Sequence, residues 1–244
     1  MDSQNITSQA GIESLKAEIK GYHTHYLKAG TGPAVVLIHG GASDSRDWIN
    51  TMTALGSRFT FYAPDLIGYG QSERRESGYY LSEFSDFLAG FIETLKLDRP
   101  ALVGHSLGGR FCLDVAIKHQ EKVSKLVLID TTGLGNMSLF GNTLQMFFWG
   151  LRKVLRQPQP YPNFLMKQGE KFHRSYEEDL RHLTIPTLLV WKQYDPYLPA
   201  SIARKAERLI PNAKLAVLEG YGHAPHQKDS KAFNRILLEF LNHD

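Results

Sequence analysis

The sequence predicts an α/β fold: a mostly parallel central sheet with helices on both faces and a short helical cap. Three observations predict it. Continuous apolar runs, Ala34-Val35-Val36-Leu37-Ile38, Ala101-Leu102-Val103 and Leu126-Val127-Leu128-Ile129, suit strands covered on both faces of a parallel sheet. Between such runs lie longer segments with apolar residues at helical spacing, such as Phe84, Phe87, Leu88, Phe91, Ile92 and Leu95. The chain has 244 residues, enough for one such domain with a substantial core.

Composition narrows the function classes. Hydrophobic residues make up 42 % and charged residues 22 %, which suits a soluble globular protein. A net charge of +3 is too small and too dispersed to argue for nucleic acid. The single cysteine, Cys112, excludes an intrachain disulfide framework and reads as a small buried apolar residue in a helix. Met1 to Ala10 is polar, without the charged and then apolar pattern of a leader. No apolar run reaches the length of a membrane span. The expectation is a cytoplasmic protein, monomer or homodimer, with no nucleic-acid partner and no stable membrane insertion.

Taken in order, residues from about Lys20 to Ala29 read as an early strand, with Gly30-Thr31-Gly32-Pro33 as the turn. His23 and His25 are strand residues there, since no other ligand cluster accompanies them. The run from Ala34 ends in His39-Gly40-Gly41. Glycines at the end of a buried strand let the backbone approach a ligand, or simply make a turn. A strand from Phe59 to Ala63 runs into Pro64-Asp65-Leu66-Ile67-Gly68-Tyr69-Gly70-Gln71-Ser72, where Asp65 is read as holding the loop through backbone N–H bonds, with a catalytic role as the alternative. A helix follows from about Leu81 to Leu95. The strand at Ala101 then enters Gly104-His105-Ser106-Leu107-Gly108, and a helix runs out to about His119. Gly-x-Ser-x-Gly between strand and helix is the pattern that lifts a serine hydroxyl above a sheet edge.

After the strand from Lys125 to Asp130 the character changes. From about Thr131 to Thr184 there is no comparable strand pattern, but many aromatics: Phe140, Phe147, Phe148, Trp149, Tyr161, Phe164 and Phe172. Pro158, Pro160 and Pro162 act as breakers. This reads as a helical insertion. One amphipathic helix spans about Asn142 to Leu155, beside the basic cluster Arg152, Lys153 and Arg156. Strand pattern resumes from Ile185 to Trp191 and ends in a loop with Asp195, Pro196 and Pro199. A helix from Ala200 to Leu209 and a last strand from Ala213 to Leu218 lead to Gly222-His223-Ala224-Pro225, and a helix from Lys231 to Leu241 closes the chain. Residues 1–130 and 185–244 therefore form the core domain, and residues 131–184 the cap.

Ser106, Asp195 and His223 fall at the carboxyl ends of predicted strands, the edge where open α/β sheets bind ligands. The order Ser…Asp…His is the one expected when Gly-x-Ser-x-Gly is a nucleophile turn. A serine hydroxyl is a weak nucleophile at neutral pH and needs an imidazole to take its proton. The imidazole needs a carboxylate to fix its tautomer and balance its charge. Backbone N–H groups of Gly41 and Leu107 are assigned as oxyanion donors. His39, Gly40, Phe147 and Trp149 are read as lining the substrate site. Asp130, at the end of the strand after the nucleophile helix, is a rival for the acid, and His226 could be mistaken for the base.

With these motifs, over nearly its whole length, the chain resembles the α/β-hydrolase superfamily, in its serine esterase and lipase branch. The resemblance rests on His39-Gly40, the Asp65 to Ser72 loop, the Gly104 to Gly109 elbow, Ile185-Pro186-Thr187 with Asp195 and Pro199, and Gly222-His223-Ala224-Pro225. It implies Ser106 as nucleophile, Asp195 as acid and His223 as base under a helical cap. It also implies hydrolysis of an ester or related acyl compound without metal or organic cofactor. Serine at the elbow argues against haloalkane dehalogenases and epoxide hydrolases. The absence of a proline in His39-Gly40-Gly41-Ala42-Ser43 argues against proline iminopeptidases. Relatives usually carry Gly at position 192 and Glu at position 228; Lys192 and Lys228 are read as surface cations, with flexible cations near the active edge as the alternative.

The expected activity is a serine carboxylesterase acting on a small-molecule ester with a small to medium apolar acyl group, because the cap is rich in aromatics. Hydrolysis of a carbon–carbon bond in a vinylogous diketone acid, with Arg110 or a cap arginine holding the acid, is an alternative, as is a lipase. A receptor without catalysis on the same fold is the alternative from a different class.

Overall fold

The computed structural model describes residues 11–75, 80–155 and 176–243, apart from the side chains of 145, 148, 149, 152 and 153. Among the described residues, eight strands form one sheet: β1 (Ile12–Ile19), β2 (Tyr22–Gly30), β3 (Ala34–Ile38), β4 (Thr60–Pro64), β5 (Ala101–His105), β6 (Leu126–Ile129), β7 (Thr187–Tyr194) and β8 (Ala213–Tyr221). Their spatial order is β1-β2-β4-β3-β5-β6-β7-β8. The first three in that order pair antiparallel, and from β4 across to β8 every pairing is parallel.

Alternation along the buried runs places the core on both faces. Val35, Leu37 and Val103 face one side, with Trp48, Met52, Phe233 and Leu237. Val36, Ile38 and Leu102 face the other, with Phe84, Phe87 and Phe111. Successive residues of a strand point oppositely, so a run apolar at every position feeds both layers. The helices supply the two covers. Helices α1 (Ile49–Leu55) and α8 (Ser230–Asn242) share one side, tied by the Thr51 hydroxyl donating to Asn234 Oδ1 at 2.9 Å. Helices α2 (Leu81–Thr94) and α3 (Ser106–Lys118) share the other, where Phe84 and Phe111 stack at 4.7 Å. Helices α4 (Leu139–Val154) and α5 (Glu177–Arg181) come from the 131–184 stretch, and α6 (Ala200–Leu209) and α7 (Pro225–Lys228) follow.

One strand was not expected. β1 pairs with β2 through a two-residue turn, Lys20 and Gly21, both at positive φ. Its polar outer residues, among them Glu13, Lys16 and Glu18, hide the strand in the sequence. They are what a sheet edge carries to discourage further pairing. Both histidines lie in β2 as expected: His25 is buried and bonded to Asp65, while His23 is exposed. Cys112 is buried as expected.

Candidate active site

The site is set by the bend after β5. Ser106 has φ of +51°, the left-handed region that costs a non-glycine residue roughly 1–2 kcal/mol. Two glycines allow the bend. A Cβ on Gly104 would meet the Gly109 Cα at 2.5 Å, and one on Gly108 would collide with the His39 carbonyl oxygen. The strand and helix backbones therefore approach closely, and α3 begins at the serine itself. A helix start aims unpaired N–H groups and the positive end of its dipole at whatever anion forms there.

Three side chains meet at the carboxyl ends of the strands. The Ser106 hydroxyl donates to His223 Nε2 at 3.0 Å. The Nδ1–H of His223 donates to Asp195 Oδ2 at 2.6 Å. Asp195 is held in turn by the backbone N–H groups of Tyr197 (2.7 Å) and Leu198 (3.1 Å) on its Oδ1. Asp195 has no exposed side-chain surface, whereas His223 keeps 22 % of its side chain exposed. The buried carboxylate fixes the ring, and the ring keeps part of its surface open. The Tyr197 ring packs 5.1 Å from the His223 ring.

The rival groups fall elsewhere. Asp130 is buried, accepts the Lys192 backbone N–H at 2.9 Å, and is pushed well above the usual carboxylate range by burial and then by the nearby Asp195 charge. It does not hold the His223 ring; Asp195 does. His226 lies on α7, fully buried against Trp48 at 4.4 Å between rings, and burial pushes its pKa down to about 3. It makes no contact with Ser106 of the kind His223 makes. His105 points its ring under the base: its Nε2–H donates to the His223 backbone carbonyl at 2.5 Å. No sequence pattern marked that support.

The loop after β3 lies against the elbow. A Cβ on Gly40 would come 3.3 Å from the Ser106 Cβ, so the Gly40 backbone passes beside the serine. His39 was expected to line the substrate site, but it is fully buried and both ring nitrogens are taken. Its Nδ1–H donates to the Gly40 carbonyl at 2.7 Å and its Nε2 accepts the Leu66 N–H at 3.0 Å. The ring braces the loop on which Gly40 and Gly41 sit. Asp65 likewise braces its own loop, accepting from Ser45 N at 2.7 Å, Gln71 N at 2.8 Å and His25 Nδ1 at 2.7 Å. Burial alone would raise its pKa, but these bonds outweigh it and hold the carboxyl at about 2.

Lys192 corrects another expectation. It is buried, not on the surface, because its ammonium pairs with Asp229 at 3.0 Å and donates to the Glu219 carbonyl. The pair ties β7 to the loop between α7 and α8, below the His223 turn. Lys228 is exposed, as expected. Of the cap residues, Phe147 is exposed on α4, and the Trp149 side chain lies outside the described residues, as do Tyr161, Phe164 and Phe172. The chain just before α4 ties to the acid loop: the Ser138 hydroxyl donates to the Pro196 carbonyl at 2.6 Å and its N–H to the Tyr197 carbonyl at 2.8 Å.

The profile of the alpha/beta hydrolase fold matches residues 33–162, just over half of the chain. The chain belongs to the α/β-hydrolase fold family. A profile described as TAP-like protein matches residues 166–243. This α/β hydrolase is 27 % identical to the 2-hydroxymuconate semialdehyde hydrolase of Pseudomonas putida, over 99 % of its own length and 97 % of the relative's. Among solved structures it is similar to a bacterial membrane phospholipase A, with 23 % identity, a TM-score of 0.85, and coverage of 98 % of this chain and 88 % of that one. It is also similar to a carboxylesterase of Bacillus subtilis, with 20 % identity, a TM-score of 0.80, and coverage of 98 % and 96 %. At these identities the structural likenesses speak for the fold, and the family as a whole for hydrolysis. Among the described residues, no helix is long and apolar enough to cross a membrane.

Proposed function

We propose that this hydrolase cleaves carboxylic esters carrying small to medium apolar acyl groups, through an acyl-enzyme on Ser106. The observation that carries the reading is the hydrogen-bonded chain Ser106–His223–Asp195, placed at a helix start on the carboxyl edge of a parallel sheet. His223 Nε2 takes the Ser106 proton as Oγ attacks the ester carbonyl. The imidazolium that forms is balanced by Asp195. The tetrahedral oxyanion sits between the backbone N–H groups of Gly41 and Leu107, each donor worth roughly 3 kcal/mol in such sites. His223 then returns the proton to the leaving alcohol. Water, deprotonated by the same imidazole, releases the acid and restores Ser106. Aromatic residues of the 131–184 cap supply the apolar preference.

A chromogenic ester series of rising acyl length tests this, run beside Ser106→Ala. Turnover that peaks at short to medium acyl chains and vanishes in Ser106→Ala supports it. A rate that jumps only above the ester's solubility limit replaces it with a lipase. A second reading, carbon–carbon hydrolysis of a vinylogous diketone acid, is favoured by the near full-length match to the semialdehyde hydrolase. Ser106-dependent cleavage of such an acid with no ester turnover selects it. Ligand binding without Ser106-dependent turnover of either substrate class selects the receptor.

A further inference from the structure

The strongest unused feature is a buried polar cluster behind the base. Asp47, His105 and His226 converge there from three elements: the 3-10 turn Ser45–Trp48, the end of β5, and α7. One ligand-capable atom from each lies within 4.8 Å of the other two. His226 is fully buried and His105 nearly so. Asp47 Oδ2, His105 Nδ1 and both ring nitrogens of His226 lack a hydrogen-bond partner. Buried polar atoms are rarely left so, and a cluster of them marks a missing water or ion.

Two details favour a cation over water alone. The first is the tautomer of His105. Its Nε2–H is committed to the His223 carbonyl, which leaves Nδ1 as the ring's lone-pair nitrogen, buried and without a hydrogen-bond partner. A ring that gives its far N–H to a backbone carbonyl and its near lone pair to a centre is the arrangement metal-binding histidines adopt. The second is the donor set itself, two neutral imidazoles and a carboxylate, which suits borderline divalent transition ions. Asp47 as a residue is partly buried, while its unpartnered Oδ2 is closed off from solvent.

We propose that Asp47, His105 and His226 bind one divalent transition-metal ion of the zinc class, behind His223. Bond lengths of about 2.0–2.2 Å require the three donor atoms to draw in by on the order of 1 Å. Rotation of the Asp47 side chain at the rim and small ring shifts of His226 supply this. The ion has no part in the hydrolytic steps. It pins the carboxyl end of β5 to α7, the two elements that flank the base. The proposal is independent of which bond the enzyme cleaves.

The test uses the full untagged chain, stripped with a chelator, exchanged into Zn2+ and desalted before metal analysis. The expected result is about one Zn2+ per chain, falling at least tenfold in His226→Gln and in Asp47→Asn but not in the surface variant His182→Ala. Co2+ is expected to give visible d–d bands of a nitrogen- and oxygen-ligated site in the wild-type chain, which needs no variant to fold. Zn2+ is expected to raise Tm with rising concentration, as binding to the folded state requires. Less than a tenth of an ion per wild-type chain, with no Co2+ bands, overturns the site and leaves water as the occupant. Full binding retained in folded His226→Gln and Asp47→Asn overturns it as well.

Discussion

Among the described residues, two Ser–His–Asp chains have nearly the same geometry, and one of these two has the surroundings of a reactive site. Ser14 donates to His25 Nε2 at 2.8 Å, and His25 Nδ1–H donates to Asp65 Oδ2 at 2.7 Å. The corresponding distances for Ser106, His223 and Asp195 are 3.0 and 2.6 Å. The distances do not separate them; the backbone does. Ser14 lies in the antiparallel ladder of an edge strand, opposite Leu27, with no helix start behind it. Ser106 begins a helix from a left-handed bend, beside the Gly40 backbone. The His25 side chain is 3 % exposed and the His223 side chain 22 %. Asp65 spends both oxygens on holding its loop, whereas the Asp195 oxygen facing the imidazole is kept for it. A triad of side chains is thus insufficient. The helix start at Ser106 and the open surface of His223 make the difference.

The comparison breaks first on the serines. Ser106→Ala is expected to lower ester turnover by about 10⁴–10⁶-fold, and Ser14→Ala to leave it within about twofold, measured as kcat/KM on the best chromogenic ester. Equal losses would show that the edge-strand chain also takes part. Next come the acids. Asp195→Asn is expected to cost about 10⁴ in kcat, since an amide cannot hold the required tautomer. Asp65→Asn is expected to leave the chemistry in place and to cost about 2–3 kcal/mol of stability, read from denaturant midpoints. A large loss of kcat in a stably folded Asp65→Asn would erase the distinction.

The acid limb sharpens it further. The folded pKa of Asp65, about 2, lies below its unfolded value. The carboxylate therefore stabilises fully above about pH 4, and that stability is lost as pH falls towards 2. The Tm gap between wild type and Asp65→Asn should close over that window, and a constant gap would refute the assignment of the shift to this loop. The smallest effect is Ser14→Ala on stability, about 1 kcal/mol or less, because its hydroxyl bonds from an exposed strand position. A differential scan that shows a greater loss would mean that His25 depends on this bond for its tautomer.

Much of this site was legible because its demands are local. Gly104 and Gly108 are where a side chain would strike the backbone, and Ser106 follows from that bend. Asp195 and His223 were legible from their placement after predicted strands. Lys192 was misread and the bond from His105 to the His223 carbonyl was passed over for one reason: nothing adjacent in sequence shows what faces them. Lys192 looked like a surface cation until Asp229, far along the chain, proved to be its buried partner. His39 looked like a ligand contact until Leu66 and Gly40 took both its nitrogens. β1 escaped because an edge strand carries polar residues for a purpose that mimics a loop.

The sequence by itself determined the parallel sheet, the strand-to-helix bend at Ser106 and the order of the residues around it, because strand period, helix period and glycine-dependent turns depend on near neighbours. Only the tertiary structure decided which histidine meets Ser106, which aspartate meets that histidine, and that a second Ser–His–Asp chain lies against a sheet edge. Those choices depend on contacts between residues such as Ser106 and His223, brought to 3.0 Å by folding from distant strands. Burial then assigns their roles, since a group closed off by its neighbours can brace a loop, while one left partly open can meet a substrate.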